Sequence, residues 1–291
     1  MMVYEYEDHL IVVDCGVMFP DAELLGVDIV IPDLTYLREN RERVRAILLT
    51  HGHEDHIGGL PYVLDEIDAP VYGAPFTLAL ARPKLEEHGL SEFADLREMH
   101  PGKPFEIGPF KIELVHLTHS IIDSGALAIT TPLGAILHTG DFKFDPTPTD
   151  RQVSDLHTLA EYGRRGVLAL FSDSTNVERP GMTPSERGVS ERFAEIVAEA
   201  KHRVLISCFS TSMHRLQIIA DLAQEYGRRL CFVGRSMFRN SEIAMQMGRL
   251  HVREGVLVHP QEISKLPDIR GVGCDRKRAQ AFLNLKIVEK S

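Results

Sequence analysis

Cysteine is scarce in this chain. There are four in 291 residues, Cys15, Cys208, Cys231 and Cys274, with no Cys-x-x-Cys pair among them. That excludes a disulfide framework and a thiolate metal site, and leaves reduced, mostly buried thiols. Long apolar runs are missing too: none approaches the roughly 20 residues of a membrane-spanning helix. The opening Met1-Met2-Val3-Tyr4-Glu5-Tyr6 has neither the basic start nor the apolar core of a secretory leader. The expectation is a soluble, cytoplasmic protein with no membrane partner. Positive charge is also short, with a formal net charge of −10. Bulk charge of that sign argues against a nucleic-acid partner. The argument is weak, because a basic groove can sit on an acidic body and bound divalent ions offset local carboxylates. The charge is also uneven, since the last 22 residues (270–291) hold six Lys/Arg against two acidic residues.

Hydrophobic residues make up 44% of the sequence, enough for two domains with their own cores. Paired strands are expected at Val3–Tyr6 and Leu10–Cys15, a loop at Gly26–Asp33, a short helix at Leu34–Arg43 and a buried strand at Arg45–Thr50. A helix follows at Leu60–Ile67, then a strand at Val71–Gly73 and a helix at Pro75–His88 broken by Pro83. Strands near Lys111–His116, Leu127–Thr131 and Ala135–His138 precede a helix at Val153–Tyr162 and a strand at Val167–Phe171. The stretch Asn176–Glu186, with Pro180-Gly181 and Pro184, reads as a crossing into another module. Beyond it come helix Pro184–Ala200, strand Arg203–Cys208, helix Met213–Tyr226, strand Leu230–Val233, helix Ser236–Gly248 and strand Val256–Val258. This alternation implies a small parallel α/β domain. The division expected is 1–176, 177–268 and a basic tail at 269–291.

Against these shortages stands one dense motif, Thr50-His51-Gly52-His53-Glu54-Asp55-His56-Ile57-Gly58-Gly59. It follows the apolar run Ala46-Ile47-Leu48-Leu49 and enters a helix at its glycines. Neutral imidazole and carboxylate suit zinc. Adjacent side chains in a loop diverge, so four such ligands fit two nearby ions more easily than one. His51 and His53 would face the first ion, and Asp55 and His56 the second. Such a pair can clamp a phosphoryl centre. The plain alternative is a polar loop that happens to be rich in histidine. His119 and Asp141 each stand just past a strand, so their loops would converge with the first. His119 would give the first ion a third imidazole, and Asp141 would bridge both ions. Asp14, at another strand end, suits an acceptor that orients a ligand histidine, or equally an ordinary turn aspartate.

These residues carry a resemblance. His51-Gly52-His53-Glu54-Asp55-His56 resembles the metal motif of the metallo-β-lactamase superfamily. Thr118-His119-Ser120, His138-Thr139-Gly140-Asp141-Phe142-Lys143-Phe144-Asp145 and Ser172-Asp173-Ser174-Thr175-Asn176 narrow it to the ribonuclease J family of the β-CASP group. The likeness runs from about Val3 to Pro267. It implies an α/β fold: the N-terminal part of a metallo-β-lactamase αββα sandwich interrupted by an inserted β-CASP parallel α/β domain, with RNA threading between the two. It also implies an endonucleolytic and 5′-to-3′ exonucleolytic activity that depends on two Zn2+ ions. A hydroxide held by both would attack phosphorus in line and leave a 5′-phosphate on the product. Asp55 and Asp173 are the catalytic candidates. Asp173 would assist proton transfer or hold a ligand, against a plain reading as a turn residue. In the inserted domain Ser210, Ser212, His214 and Arg215 open one helix, and Arg235 and Ser236 another. The RNA channel makes them candidate RNA contacts, whereas helix caps look the same without a ligand.

The family's chain is longer and returns to the metallo-β-lactamase domain, where a further histidine completes the second metal. Here the likeness fades at Leu266-Pro267-Asp268, and Ile269–Ser291 reads as an aberrant tail. The expectation is therefore a ribonuclease J-like portion binding one or two ions. It would have RNA as partner, with a homo-oligomer or a related ribonuclease subunit as a possible associate. Two alternatives stay open: a non-catalytic RNA-binding or subunit-pairing form of the same fold, and a small-molecule metallohydrolase.

Overall fold

The computed structural model describes residues 1–20, 24–265 and 282–286. They fall into two compact units. The first holds Met1–Asp145 and Val153–Thr183; the second holds Pro146–Gln152 and the described residues from Pro184 onward. The division after Thr183 comes later than position 176, inside the stretch with Pro180-Gly181 and Pro184.

Two five-stranded sheets build the first unit. β1 (Met2–Tyr6), β2 (His9–Val13), β3 (Val44–Leu48), β4 (Val71–Gly73) and β5 (Leu96–Glu98) lie side by side in that order. β1 and β2 form an antiparallel pair, and the remaining pairings are parallel. β6 (Phe105–Ile107), β7 (Phe110–His116), β8 (Gly125–Thr131) and β9 (Gly134–His138) form an antiparallel meander, and β10 (Ala169–Phe171) joins β9 in parallel. Alternate residues of the two sheets meet in one core. Ile11, Val13, Ala46 and Leu48 pack with Phe110, Ile112, Leu114, Leu127 and Ile129.

Leu10, Val12 and Ile47 are just as buried but point to the opposite face. Parallel strands need crossover connections, and the second sheet already covers the inner face. The crossovers therefore supply the outer layer: α1 (Thr35–Glu39), α2 (Glu54–Ile57), α3 (Leu60–Leu64) and α4 (Pro75–Glu87). They bury Leu37, Ile57, Leu60, Val63 and Phe76. Behind the second sheet, α5 (Leu156–Arg165) covers Val115, Ala126, Ala128 and Leu137 with Leu159 and Tyr162. Asp155 caps that helix by accepting from the Thr158 amide.

The second unit carries α6 (Glu186–Glu199), β11 (Val204–Ile206), α7 (Met213–Glu225), β12 (Arg229–Val233), α8 (Arg235–Gln246) and β13 (Phe282–Lys286). β13 lies between β11 and β12, parallel to both. Of the stretch read as a basic tail, 269–281 and 287–291 lie outside the described residues. Cys15, Cys208 and Cys231 are buried free thiols, while Cys274 also lies outside the described residues.

Several expectations need correction. Pro83 does not break its helix, which runs unbroken from Pro75 to Glu87. A proline there removes one backbone bond, and the burial of Phe76, Leu78, Leu80, Ala81 and Leu85 on the same helix outweighs it. The helix expected at Leu34–Arg43 divides at Asn40 into α1 and a 3-10 turn, Arg41–Arg43. Val256–Val258 is not a strand but a single bridge, Leu257 to Leu230. The short strands β5 and β6 were not expected, because three residues carry too little alternation to stand out.

Candidate metal centre

The His-rich loop leaves the buried strand β3 and turns at once into α2, whose cap is His53. Its position is fixed from below by residues 14–16. The Cys15 amide donates to the His56 carbonyl at 2.7 Å, and the Gly59 amide donates to the Cys15 carbonyl at 2.7 Å. Gly16 is required by this approach, since a Cβ there would lie 1.5 Å from the Asp55 carbonyl oxygen. Asp14 adopts φ 57°, a left-handed conformation that aspartate tolerates better than most residues. It is 4% exposed.

Asp14 organises the first layer of the site. Oδ1 accepts from the Thr50 amide and Oδ2 from the Thr50 hydroxyl, each at 2.8 Å. Oδ2 also lies 2.7 Å from His56 Nδ1. Thr50 Oγ1 stands 3.0 Å from His51 Nδ1. The Thr50 proton is committed to Asp14, so the Thr50 oxygen accepts from His51 Nδ1–H. One buried carboxylate thereby sets the tautomer of His51 through Thr50, contacts His56 directly, and turns both Nε2 atoms inward.

His53 on the same loop is joined by His119 and Asp141, which come from two other loops. His53 Nδ1 lies 3.0 Å from His51 Nε2 and 3.2 Å from His119 Nε2. His56 Nε2 lies 3.3 Å from Asp141 Oδ1, and Asp141 Oδ2 lies 4.0 Å from His119 Nε2. Two ligand triplets result, His51–His53–His119 and His51–His56–Asp141, with the donor atoms of each within 4.8 Å of one another. Asp55 stands at the edge, 65% exposed, with Oδ2 3.8 Å from His56 Nε2.

Electrostatics separates these groups. Burial pushes His51 well below the ordinary imidazole range, reinforced by the neighbouring His56, His53 and His119. Burial likewise lowers His53, and it lowers His119 to about 4. These three rings are neutral at pH 7, so each carries one N–H and one nitrogen with a free lone pair. Burial would lower His56 as well, but hydrogen bonds to Asp14 and Asp141 win and raise it to about 10. The His56 hydrogen bond holds Asp141 below the usual carboxylate range. Converging neutral nitrogens beside an ionised carboxylate form a donor set that fits a divalent cation.

Asp173 ends β10. Its amide donates to Thr139 Oγ1 at 3.0 Å, while Oδ1 accepts from the Thr175 amide and hydroxyl at 2.8 and 2.6 Å. That is an Asx turn, although its charge also reaches His119. Sequence reasoning missed Thr50 and Tyr4. The Tyr4 hydroxyl lies 2.8 Å from His138 Nδ1. A threonine beside a ligand motif is a usable signal; a tyrosine 134 residues from its partner is not.

In the second unit the candidate contacts are already engaged with protein. Arg215 pairs with Glu186 at 3.1 Å, and His214 lies 3.9 Å from Asp150. Ser210 Oγ accepts from Asn240 at 3.0 Å, and Ser212 is buried. Arg235 and Ser236 are exposed. Arg235 lines a cavity of about 450 Å3 with Phe238, Arg239, Glu242 and His259.

Residues 1–174 match the metallo-beta-lactamase superfamily. The chain belongs to the metallo-β-lactamase superfamily. Residues 201–272 match the ribonuclease J beta-CASP domain. The ribonuclease J of Synechocystis sp. is 44% identical over 268 residues, covering 91% of this chain and 42% of that protein. The ribonuclease J2 of Bacillus subtilis is 40% identical over 267 residues, covering 92% of this chain and 48% of that protein. A solved structure of a protein of unknown function from Enterococcus faecalis V583 has a TM-score of 0.66 at 15% identity, covering 99% of this chain and 73% of that one. The chain thus spans less than half the length of these two ribonuclease J relatives. The metallo-β-lactamase fold with a β-CASP domain agrees with the resemblance in the sequence.

Proposed function

We propose that this chain forms the N-terminal part of a zinc-dependent ribonuclease of the ribonuclease J type, acting on RNA phosphodiesters. The observation that carries the reading is the gathering of four imidazoles and Asp141 into two adjoining ligand triplets that share the buried His51. The ribonuclease J relatives supply the substrate class. His51, His53 and His119 would hold one ion, and His56, Asp141 and Asp55 a second. A divalent ion bound there would lower the pKa of a water and polarise a phosphoryl oxygen. Asp141 presents Oδ1 to His56 and Oδ2 toward His119, so it spans both ligand groups. Asp14 holds His51 through Thr50, and His56 directly, so that neither ring must reorient when a ligand binds. Asp173, close enough to influence His119, is the candidate to take a proton from the attacking water as the new P–O bond forms and to return it to the leaving oxygen as the old one breaks.

The test uses the whole chain on a 5′-monophosphorylated RNA labelled at either end, with metal content measured on the same sample. Bound zinc and chelator-sensitive cleavage are expected. End-labelling separates internal cuts from stepwise 5′-to-3′ loss, and the products should retain 5′-phosphates. Absence of stoichiometric metal would sink the reading. Hydrolysis of a thioester without RNA cleavage would move it to a small-molecule hydrolase.

A second reading has its own support. β10 is the outermost strand of its sheet, and Leu168 and Leu170 on or beside it are 59% and 62% exposed. Such an edge suits pairing with another strand. The chain would then serve as an RNA-binding or subunit-pairing module, in a homo-oligomer or with a related ribonuclease subunit. RNA binding that survives a His53→Ala/Asp141→Ala change, with no cleavage by the parent, would favour it.

A further inference from the structure

Ser154 lies in the turn before α5, far in sequence from every histidine discussed above, yet its hydroxyl closes a network beneath the His119 loop. The Thr118 amide donates to Ser154 Oγ at 2.9 Å, and Thr118 Oγ1 lies 2.9 Å from the same atom. Thr118 Oγ1 donates to the Lys143 carbonyl and accepts from the Asp145 amide at 3.2 Å. The Lys143 amide returns a bond to the Thr118 carbonyl at 2.8 Å. Proton counting then fixes the direction of the remaining contact. The Thr118 proton goes to Lys143, so Ser154 Oγ–H donates to Thr118 Oγ1 while its lone pair takes the Thr118 amide. Both side chains are buried, and the adjacent Asp155 amide donates to the His116 carbonyl at 2.9 Å.

This arrangement joins three segments. Thr118 is covalently next to His119, Lys143 is two residues beyond Asp141, and Ser154 holds Thr118 in place between them. We propose that Ser154 is a positioning residue for the metal centre, setting the His119 loop against the Asp141 loop so that both ligands face the His-rich motif. The inference rests on the metal-centre reading given above. Buried hydroxyl networks of this kind are well defined when every donor and acceptor is used, and they shift as a unit when one member is lost. Removing Ser154 leaves the Thr118 amide without an acceptor inside the protein, and the His119 loop is free to move to find another.

The experiment measures Zn2+ affinity of the full chain by competition with a chromophoric chelator, and the visible spectrum of the Co2+ form. Ser154→Ala is expected to lower affinity about tenfold and to alter the Co2+ ligand-field bands. Ser154→Thr, which keeps the hydroxyl, is expected to restore both. Unchanged affinity and spectrum for Ser154→Ala, even with a lower melting temperature, would mark a purely structural role and overturn the proposal while leaving the metal reading intact. Failure of Ser154→Thr to restore either readout would also overturn it. A parent chain that binds neither ion would remove the metal reading and this inference with it. If the alanine variant does not fold by circular dichroism, Ser154→Cys, similar in shape but a weak donor, is judged by the same two readouts.

Discussion

Two segments of this protein occupy like places in the chain, and they differ in what their polar groups are doing. Each leaves a strand and opens a helix: Thr50–Gly59 after β3, and Phe209–Arg215 after β11. In the first, ring nitrogens and the Asp141 carboxylate gather against one another, while Asp14 and Thr50 hold the Nδ1 atoms of His56 and His51. In the second, the polar atoms are largely spent on protein: Arg215 on Glu186, Ser210 on Asn240, His214 near Asp150. A site meant for a ligand gathers several donor atoms against one another or leaves them exposed; a helix start that serves the fold commits them singly to other side chains. By that criterion Arg235 and Ser236, which are exposed, are better candidates for RNA than Arg215.

The largest effect should come from His53→Ala combined with Asp141→Ala. It removes a nitrogen from one ligand triplet and the carboxylate from the other, and more than a hundredfold loss of metal affinity is expected by chelator competition. Retained stoichiometric zinc would mean that the ion sits elsewhere. Next in size is Asp14→Ala, which leaves the Thr50 amide and hydroxyl and His56 Nδ1 without their acceptor. Metal affinity should fall by about 10- to 100-fold. Urea titration should show a stability loss of about 2–3 kcal/mol. Asp14→Asn should recover part of the stability but less of the affinity, because the neutral amide is a weaker acceptor for His56.

In the second unit the contrast is sharpened by charge removal. Arg235→Ala should weaken RNA binding several-fold and reduce the salt slope by about one. Arg215→Ala should change it little, because Glu186 already neutralises Arg215. Equal losses for the two would erase the distinction drawn above. A single change, Glu186→Ala with Arg215 retained, tests the same point from the other side and should strengthen RNA binding slightly.

The smallest effect concerns pH. Burial, helped by the hydrogen bond to Glu113, raises Tyr162 to about 12. Its folded pKa is above its unfolded value near 10. The stabilisation is therefore full below pH 10 and is lost as pH rises through about 12. Tyr162→Phe should flatten that alkaline loss in urea titrations, while lowering stability slightly at pH 7 through the lost hydrogen bond.

Legibility in the sequence followed the range of the interactions. The ligand types and their loop could be read because His51, His53, Asp55 and His56 sit within six residues after a buried strand, and local geometry limits what such a cluster can do. The strand-helix rhythm of the second unit was visible for the same reason. Pro83 misled, since its local cost is real and the burial that overrides it comes from tertiary packing. Asp173 shows a mixed case: its Asx turn is local and its field at His119 is not.

By itself, the sequence determined that metal-binding chemistry was concentrated at one strand end, and that His119 and Asp141 also stood just past strands. The tertiary structure decided which groups aim those ligands. Asp14 reaches Thr50 across 36 residues, and Ser154 reaches Thr118 across the same separation. Hydrogen bonds of a few ångströms between such distant positions leave no periodicity or spacing in the chain. They exist only because two packed sheets bring the ends of β2, β3, β7 and β9 together.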